Sequence, residues 1–288
     1  MRFMQLSAAK LNLSFRVTKK RDDGYHDIMS LFLRMPDVEA LSISKAMGCA
    51  DDVRARGVEI EGENIVSRAL RIAREAGLDT PFLNVGISKT ISPGSGLGAG
   101  SGNAAAILRW LAGSAIRQEG DPTYPKWQNV ALKTGADVPF LFSCHPLALV
   151  SGVGEILEPL APLKFRASIV FPKWSVGTEN AYAQLDSRYG ECEKYPLSEP
   201  EARTEACALH QRLLDGERVG LLPNDFAPML IEKFPDYLDL FDMFDKSGYA
   251  AWGITGSGGA AFALYGVQPP LAVTWPCWSR QVLTLDTA

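Results

Sequence analysis

The most informative stretch of this sequence reads Pro93-Gly94-Ser95-Gly96-Leu97-Gly98-Ala99-Gly100-Ser101-Gly102-Asn103. It follows a predicted strand at residues 82–87 and precedes a predicted helix at residues 103–112, which is rich in alanine and leucine. Glycines let a backbone approach a polyphosphate closely, and the positive end of the following helix attracts the anion. The stretch therefore predicts a phosphate-binding loop. Taken alone, it is equally compatible with a flexible surface connection.

The loop differs from two common nucleotide-binding motifs. A Walker A loop would end in Gly-Lys-Ser/Thr, and a dinucleotide fingerprint would read Gly-x-Gly-x-x-Gly with a later acidic residue. Neither pattern occurs in this stretch. The loop alone therefore predicts phosphate binding without identifying the ligand.

Strand signals dominate the beginning of the chain. Residues 10–17 alternate between polar and apolar side chains, the period-2 pattern of a strand with one buried face. Lys10 and Asn12 then lie on the same, polar face. Asp22-Asp23-Gly24 predicts a turn, and residues 38–43 alternate again as a second strand.

Helix signals follow. Residues 64–76 carry an apolar stripe of helical period, with Asn64 as the N-cap and Gly77 as the stop. Asp137-Val138-Pro139-Phe140 predicts another helix start, because Asp caps free N–H groups and Pro is tolerated in a first turn. Later elements are predicted as strands at 148–150 and 167–171 and as helices at 180–185, 201–214 and 225–234. The expected class is α+β with two domains, residues 1–160 and 161–288, divided in the proline-containing segment 158–162.

The composition excludes several classes of protein. The chain has 288 residues, of which 47% are hydrophobic and 22% charged, and no apolar run reaches the roughly 20 residues of a membrane helix. A net charge of −4 provides no basic field for nucleic acid. The first residues lack a secretory pattern, so a cytoplasmic location is expected. Five dispersed cysteines without a Cys-x-x-Cys pair predict neither a disulfide framework nor a zinc site.

Together with other segments, the glycine loop resembles the GHMP kinases, the superfamily of galactokinase, homoserine kinase and mevalonate kinase. The further segments are Ala9-Lys10-Leu11-Asn12-Leu13, Asp23-Gly24-Tyr25-His26, Gly135-Ala136-Asp137-Val138-Pro139-Phe140, Gly152-Val153-Gly154-Glu155-Ile156-Leu157 and Thr255-Gly256-Ser257-Gly258. Their order and spacing are most similar to the branch that phosphorylates a cytidine diphosphate-linked sugar alcohol. The resemblance spans about residues 5 to 265.

The resemblance implies a two-domain fold in which ATP and substrate meet in an interdomain cleft. It implies ATP-dependent phosphorylation of the 2-hydroxyl of the sugar alcohol in isoprenoid precursor biosynthesis, with Mg²⁺ bridging the phosphates. It places Lys10 and Asp137 at the chemistry. A carboxylate within reach of a hydroxyl can accept its proton, and a nearby ammonium can keep that carboxylate ionised. Without the family context, Lys10 would be an exposed strand lysine and Asp137 a helix cap.

The resemblance also assigns binding residues. The whole stretch from Pro93 to Asn103 is expected to hold the phosphates, Asn64 and Lys89 to border the adenine, and Ser101 to contact the metal. The expected substrate contacts are Asn12, Tyr25, His26, Phe32, Thr178 and Tyr182. Plainer roles exist for several: Asn64 as a helix cap, Lys89 as an exposed strand-end lysine, Asn12 as an edge residue facing water, and Phe32 and Tyr182 as core residues. Tyr25 and His26 could equally pack a hairpin, and Thr255-Gly256-Ser257-Gly258 could be an ordinary turn.

The loop departs from the family pattern at three positions, and its proline, Pro93, sits one place later than is usual in the family. The family has two adjacent serines where this chain has Ser101-Gly102, and glycines where it has Ser95 and Ala99. The methyl group of Ala99 is expected to crowd the approach to phosphate. Ser101 carries the remaining hydroxyl, and a serine at position 102 is expected to be tolerated if the backbone φ there is negative.

Three other functions stay open from the sequence. The first is a GHMP kinase with a different alcohol substrate, and the second is a non-catalytic nucleotide-binding homologue. The third is an RNA-binding module of similar strand–helix type, which the acidic net charge disfavours. The chain is compatible with a monomer or a homodimer.

Overall fold

The computed structural model describes residues 1–57, 62–113, 121–174, 176–189, 195–266, 274–276 and 279–287. The strands are β1 (Arg2–Lys20), β2 (His26–Lys45), β3 (Asp52–Arg56), β4 (Leu83–Ser88), β5 (Leu147–Gly152), β6 (Ile156–Pro159), β7 (Arg166–Pro172), β8 (Gly220–Leu221), β9 (Ala251–Ile254), β10 (Ala261–Tyr265) and β11 (Ser279–Asp286). The helices are α1 (Ile65–Glu75), α2 (Ala99–Ala112), α3 (Tyr124–Thr134), α4 (Val138–Ser143), α5 (Thr178–Tyr189), α6 (Glu199–Leu214), α7 (Ala227–Lys233) and α8 (Asp236–Lys246). The predicted α+β class is confirmed.

The chain divides into two compact units. The first unit contains Met1–Lys10, Pro36–Pro93 and Gly98–His145. The second contains Leu11–Met35, Gly94–Leu97 and Pro146–Ala288, so β1 and β2 each contribute to both units. These compact units are not the two predicted domains, and the predicted domain boundary near residue 160 stays a prediction.

In the first unit, the last part of β2 pairs antiparallel with β4, with Leu41 opposite Ile87, and β3 pairs parallel with β4. The four helices α1 to α4 pack on one another. Both the sheet and the helices contribute fully buried side chains, among them Leu41, Leu70, Ile107 and Phe140. This apolar core fixes the positions of the ends of β4 and α2, which flank the glycine loop.

In the second unit, the first part of β2 pairs with β5, which also pairs with β6. A second sheet has the order β11-β7-β10-β9-β8, antiparallel except for the parallel pair β8 and β9. Helix α8 of this unit buries Tyr237 and Phe244 completely. Among the described residues, no helix combines the length and apolar composition needed to cross a bilayer.

Strand β1 corrects one prediction. Its alternating pattern predicts one buried face, but every residue from Ser7 to Phe15 is buried. The polar side chains of this segment have partners inside the protein: in the second unit, the Leu31 N–H donates to Ser14 Oγ, and Asn12 Nδ2 donates to Ser30 Oγ. Polar residues at alternate positions therefore mark buried hydrogen-bonding sites here and not a solvated face.

The predicted helix at residues 64–76 is confirmed, and the helix after the glycine loop begins earlier than predicted. In α1 the Asn64 side chain accepts from Val66 N–H at 2.9 Å, and Gly77 follows the last turn with a φ of 72°. Helix α2 begins at Ala99, four residues before the predicted start, with Gly98 as its N-cap. The second half of the glycine loop is therefore the first turn of a helix.

Candidate functional site

Lys10 and Asp137 form an ion pair in the first unit. Lys10 Nζ lies 3.8 Å from Asp137 Oδ2, and the side chains are 4% and 28% exposed. Asp137 occupies the N-cap position of α4, but its side chain makes no capping hydrogen bond. The carboxylate is therefore not used as a helix cap, which was its plainer role.

The environment of this pair suits proton transfer. Burial lowers the pKa of Lys10, and the charge of Asp137 offsets part of that change. At 3.8 Å the two groups attract each other electrostatically but are beyond hydrogen-bond distance. By their chemistry, an ionised carboxylate such as that of Asp137 can accept a proton, and an ammonium such as that of Lys10 can donate to negative oxygens.

Gly98 brings the glycine loop to this pair. Its φ is +64°, a left-handed conformation that favours glycine. A Cβ atom at this position would lie 2.9 Å from Asp137 Oδ2 and 3.3 Å from Lys10 Cε. The backbone that begins α2 therefore passes directly beside the carboxylate and the ammonium.

The first turn of α2 offers donors for an anion. The helical bonding begins with Gly102 N–H donating to Gly98 O, so the N–H groups of Ala99, Gly100 and Ser101 are the ones that a helix leaves unpaired at its start. Ser101 is half-buried, and its hydroxyl has no hydrogen-bond partner among the described residues. These groups have the donor chemistry that phosphate binding requires.

The geometry bears on two features of the altered loop: it overturns the expectation about position 102, and the crowding of phosphate by Ala99 stays a prediction. A Cβ atom at Gly102 would overlap the carbonyl oxygen of Ala8, so the expectation that serine is tolerated here is wrong. The backbone φ is not the limiting factor; the close approach of α2 to β1 is. Ala99 is 6% exposed at the first position of α2, so its methyl group is largely buried.

The residues expected near adenine have protein partners in the first unit. The Lys89 side chain is only 4% exposed, and its Nζ lies 2.8 Å from Glu39 Oε2, so its role as an exposed lysine is excluded. Asn103 is also buried, and its Nδ2 donates to the same carboxylate. Asn64 is half-buried and caps α1. Contact of these residues with a nucleotide stays a prediction.

In the second unit, the loop residues Ser95 and Gly96 contact the glycine-containing segment that begins with Thr255-Gly256-Ser257-Gly258. A Cβ atom at Gly96 would overlap Thr255 O, and one at Gly258 would overlap the backbone of Gly96. Ala260 N–H donates to Ser95 O at 3.3 Å. The two glycine segments therefore lie backbone against backbone, which goes beyond an ordinary strand-to-strand turn.

Two asparagines hold this arrangement. Asn224 Nδ2 donates to Ile254 O at 2.8 Å and to Gly256 O at 3.0 Å, on either side of Thr255. Asn12 is 2% exposed, and its Oδ1 accepts from Thr255 Oγ1 at 3.2 Å. Asn12 is therefore not an edge residue facing water. Asn224 was not predicted from the sequence.

A polar aromatic cluster surrounds His26 in the second unit. His26 Nε2 lies 2.7 Å from Asp186 Oδ1, and the ring stacks on Tyr182 with centroids 4.6 Å apart. Lys20 Nζ and Tyr195 OH donate to the same carboxylate at 2.6 and 2.8 Å. Burial acts to raise the pKa of Asp186, but the hydrogen bonds from Lys20 and His26 prevail and lower it. Asp186 thus fixes the orientation of the His26 ring.

The other expected substrate residues are placed differently. Tyr25 is 63% exposed just after the predicted turn, so it does not plug the hairpin. Thr178 is exposed as the first residue of α5. Phe32 is 1% exposed in β2, which fits its alternative role as a core residue. Asp186 was missed from the sequence, although its spacing of four from Tyr182 places both on one face of α5.

The chain is similar to known proteins both in sequence and in structure. Residues 64–142 match the GHMP kinases N terminal domain. The 4-diphosphocytidyl-2-C-methyl-D-erythritol kinase of Nitratidesulfovibrio vulgaris is 34% identical over 267 residues, covering 90% of this chain and 88% of that protein. The protein of the same name from Chlorobium luteolum is 31% identical, with 89% and 86% covered. A crystal structure of 4-(cytidine 5'-diphospho)-2C-methyl-D-erythritol kinase has a TM-score of 0.73 at 26% identity, with 99% and 98% covered.

Proposed function

The chain belongs to the 4-diphosphocytidyl-2-C-methyl-D-erythritol kinases of the GHMP kinase superfamily, and we propose that it transfers the γ-phosphoryl group of ATP to the 2-hydroxyl of that substrate. The reaction would be a cytoplasmic step of isoprenoid precursor synthesis by the non-mevalonate route. One observation carries the mechanism: the Lys10–Asp137 pair lies against Gly98, where the glycine loop becomes helix α2.

Asp137 accepts the proton of the attacking hydroxyl in this mechanism. The hydroxyl oxygen forms a bond to the γ-phosphorus, the bond to the β–γ bridging oxygen breaks, and ADP leaves with its electron pair. Lys10 provides positive charge beside the carboxylate, and this charge would stabilise the negative charge of the transferring group. The first turn of α2 holds the phosphates through backbone N–H groups. A covalent enzyme intermediate is not needed.

The residues present fit a magnesium ion held largely by the nucleotide. Mg²⁺ is commonly bound by one or two protein oxygens, substrate phosphates and water, and it neutralises phosphate charge during transfer. The half-buried Ser101 hydroxyl lies in the first turn of α2, beside the backbone N–H groups expected to hold the phosphates. The Ser101 hydroxyl would supply the protein oxygen.

Removing the Ser101 hydroxyl tests this arrangement. We expect Ser101→Ala to lower kcat/KM for ATP by roughly 10- to 150-fold, the value of a hydrogen bond to a charged group. The effect is measured by steady-state kinetics at several magnesium concentrations. Unchanged ATP affinity, magnesium dependence and turnover would show that the loop acts through its backbone N–H groups alone.

We propose that Tyr25 and the His26 cluster bind the cytosine ring. The aromatic face of Tyr25 is exposed, and such a face binds a nucleobase by stacking. His26 is the next residue after Tyr25. The Asp186 carboxylate holds the His26 ring in one orientation, since an ionised carboxylate requires an N–H at Nε2. An exposed aromatic face next to an oriented imidazole supports recognition of the cytidine group of the substrate.

Loss of the Tyr25 ring should weaken binding of the cytidine substrate only. We expect Tyr25→Ala to raise its KM by about 5- to 150-fold, from roughly 1–3 kcal/mol of stacking, and to leave the KM for ATP unchanged. Tyr25→Phe is the matched control, because it keeps the ring and should cost much less. A Tyr25→Ala protein with a lower Tm and an unchanged KM for the cytidine compound would contradict the stacking role.

A coupled assay of ADP release tests the proposed function. The acceptors to compare are 4-diphosphocytidyl-2-C-methyl-D-erythritol, mevalonate and homoserine at equal concentration. We expect ADP release with the cytidine compound and none above background with the other two. Release with mevalonate or homoserine would favour another GHMP kinase, and ATP binding without release would favour a non-catalytic homologue.

A further inference from the structure

Glu39 is a buried carboxylate in β2 that the proposed mechanism does not use. Its side chain is 0% exposed, in a segment of otherwise largely apolar residues. Burying a charge is unfavourable unless its hydrogen-bonding capacity is met. Four donors meet it here: Lys89 Nζ at 2.8 Å, Asn103 Nδ2 at 2.8 Å, and the backbone N–H groups of Thr90 and Ile91 at 3.0 and 2.9 Å.

These donors come from the two ends of the glycine loop. Lys89, Thr90 and Ile91 follow β4 and lead into the loop. Asn103 lies in the second turn of α2, where the chain leaves the loop. One carboxylate therefore connects the residues before the predicted phosphate-binding segment with the last residue of that segment, and this carboxylate and its four donors all belong to the first unit.

A second set of bonds extends this connection to β1. Ser7 Oγ donates to Asn103 Oδ1 at 2.7 Å, so both polar atoms of the Asn103 amide are bonded within the protein. Ser7 lies three residues before Lys10 on the same strand. Glu39, Asn103 and Ser7 thereby set the position of α2 relative to the strand that carries the catalytic lysine.

We infer that Glu39 is a positioning residue for the nucleotide: it holds both ends of the glycine loop in the geometry that accepts the phosphates. The inference rests on the proposed function, since it assigns ATP to this loop. Glu39 does not touch the nucleotide in this account. Its carboxylate acts through Thr90, Ile91 and Asn103, and the charge of Lys89 balances its own.

The test is direct titration of ADP by calorimetry, together with KM values for both substrates and Tm. Glu39→Gln keeps the size and one acceptor oxygen but removes the charge and one acceptor. We expect its Kd for ADP and its KM for ATP to rise by at least about 10-fold, and its KM for the cytidine substrate to change less than about 2-fold.

Asp51→Asn is the matched control. Asp51 is also a carboxylate of the first unit, and its side chain is 14% exposed. It pairs with Arg74 at 2.7 Å and accepts from Leu83 N–H. Neither partner lies in residues 89–103. The Asp51→Asn substitution should lower Tm without raising the Kd for ADP. An equal rise in Kd in both variants, or no rise in Glu39→Gln, would overturn the inference.

Ser7→Ala decides the question if Glu39→Gln does not fold. This substitution removes the hydroxyl that donates to Asn103 Oδ1 and to the Glu39 backbone carbonyl. It should weaken ADP binding by about 3-fold or more, and unchanged affinity would overturn the inference. ADP binding also separates this inference from the proposed reaction. Wild-type protein that binds ADP without phosphorylating the cytidine substrate would refute the reaction and leave the Glu39 comparison valid. Wild-type protein that binds no ADP would refute both.

Discussion

Asp137→Asn should lower turnover by about 10²-fold or more, the scale of general-base catalysis. Asparagine keeps the size of the side chain but cannot accept the proton of the attacking hydroxyl. The fold should survive, because the Asp137 side chain makes no capping hydrogen bond at α4. Lys10 loses the carboxylate that raises its pKa, so that pKa falls further and the charge at the site weakens as well.

The measurement is kcat by ADP release, with Tm recorded on the same preparations. Asp121→Asn is the matched control, since Asp121 is an aspartate of the same unit that bonds Thr123 just before α3 and has no assigned part in the reaction. Its kcat should equal that of the wild type. A folded Asp137→Asn protein with near-normal turnover would show that another group takes the proton.

Gly102→Ala should destabilise the protein severely and abolish ATP binding. Its methyl group would overlap the carbonyl oxygen of Ala8, and backbone on both sides resists the displacement. Overpacking of this kind typically costs about 1–3 kcal/mol, or more where the surroundings cannot shift. Because α2 would have to move away from β1, the loop before it would move as well.

Gly100→Ala is the matched control two residues earlier in the same helix. A Cβ atom there would meet only Ile65 Cγ2, at an ordinary contact distance of 3.7 Å. Exchanging glycine for alanine inside a helix is worth about 0.5–1 kcal/mol of stabilisation. Thermal unfolding should therefore show a raised Tm for Gly100→Ala and a lowered one for Gly102→Ala. Equal Tm values for the two variants would contradict the close approach of α2 to β1.

Features that depend on local interactions were predictable from the sequence. The cap at Asn64 and the stop at Gly77 delimit α1 because both act within a turn of the residue that carries them. The turn at Asp22-Asp23-Gly24 is likewise local, with Arg21 N–H bonded to Tyr25 O. Lys10 and Asp137 were named because the family resemblance joins two motifs that are far apart in the chain.

Features that depend on distant neighbours were not predictable. Nothing in a period-2 pattern reveals that both faces of β1 are covered, and nothing near Gly102 reveals the carbonyl of Ala8. The same holds for Glu39, whose partner Asn103 is 64 positions away. Helices α3 and α8 were also missed, although Pro125 in the first turn of α3 and the acidic Asp236 and Asp239 in the first turn of α8 are local start signals.

The most direct test of the proposed reaction is the position of the new phosphate. The 2-carbon of the substrate carries a methyl group and no hydrogen, so a phosphate on its oxygen has no proton three bonds from phosphorus. The proton-coupled phosphorus NMR spectrum of the purified product should therefore contain a monoester resonance without three-bond splitting, formed only when ATP is present. A monoester resonance split by a carbon-bound proton would place the phosphate on another hydroxyl and contradict the account.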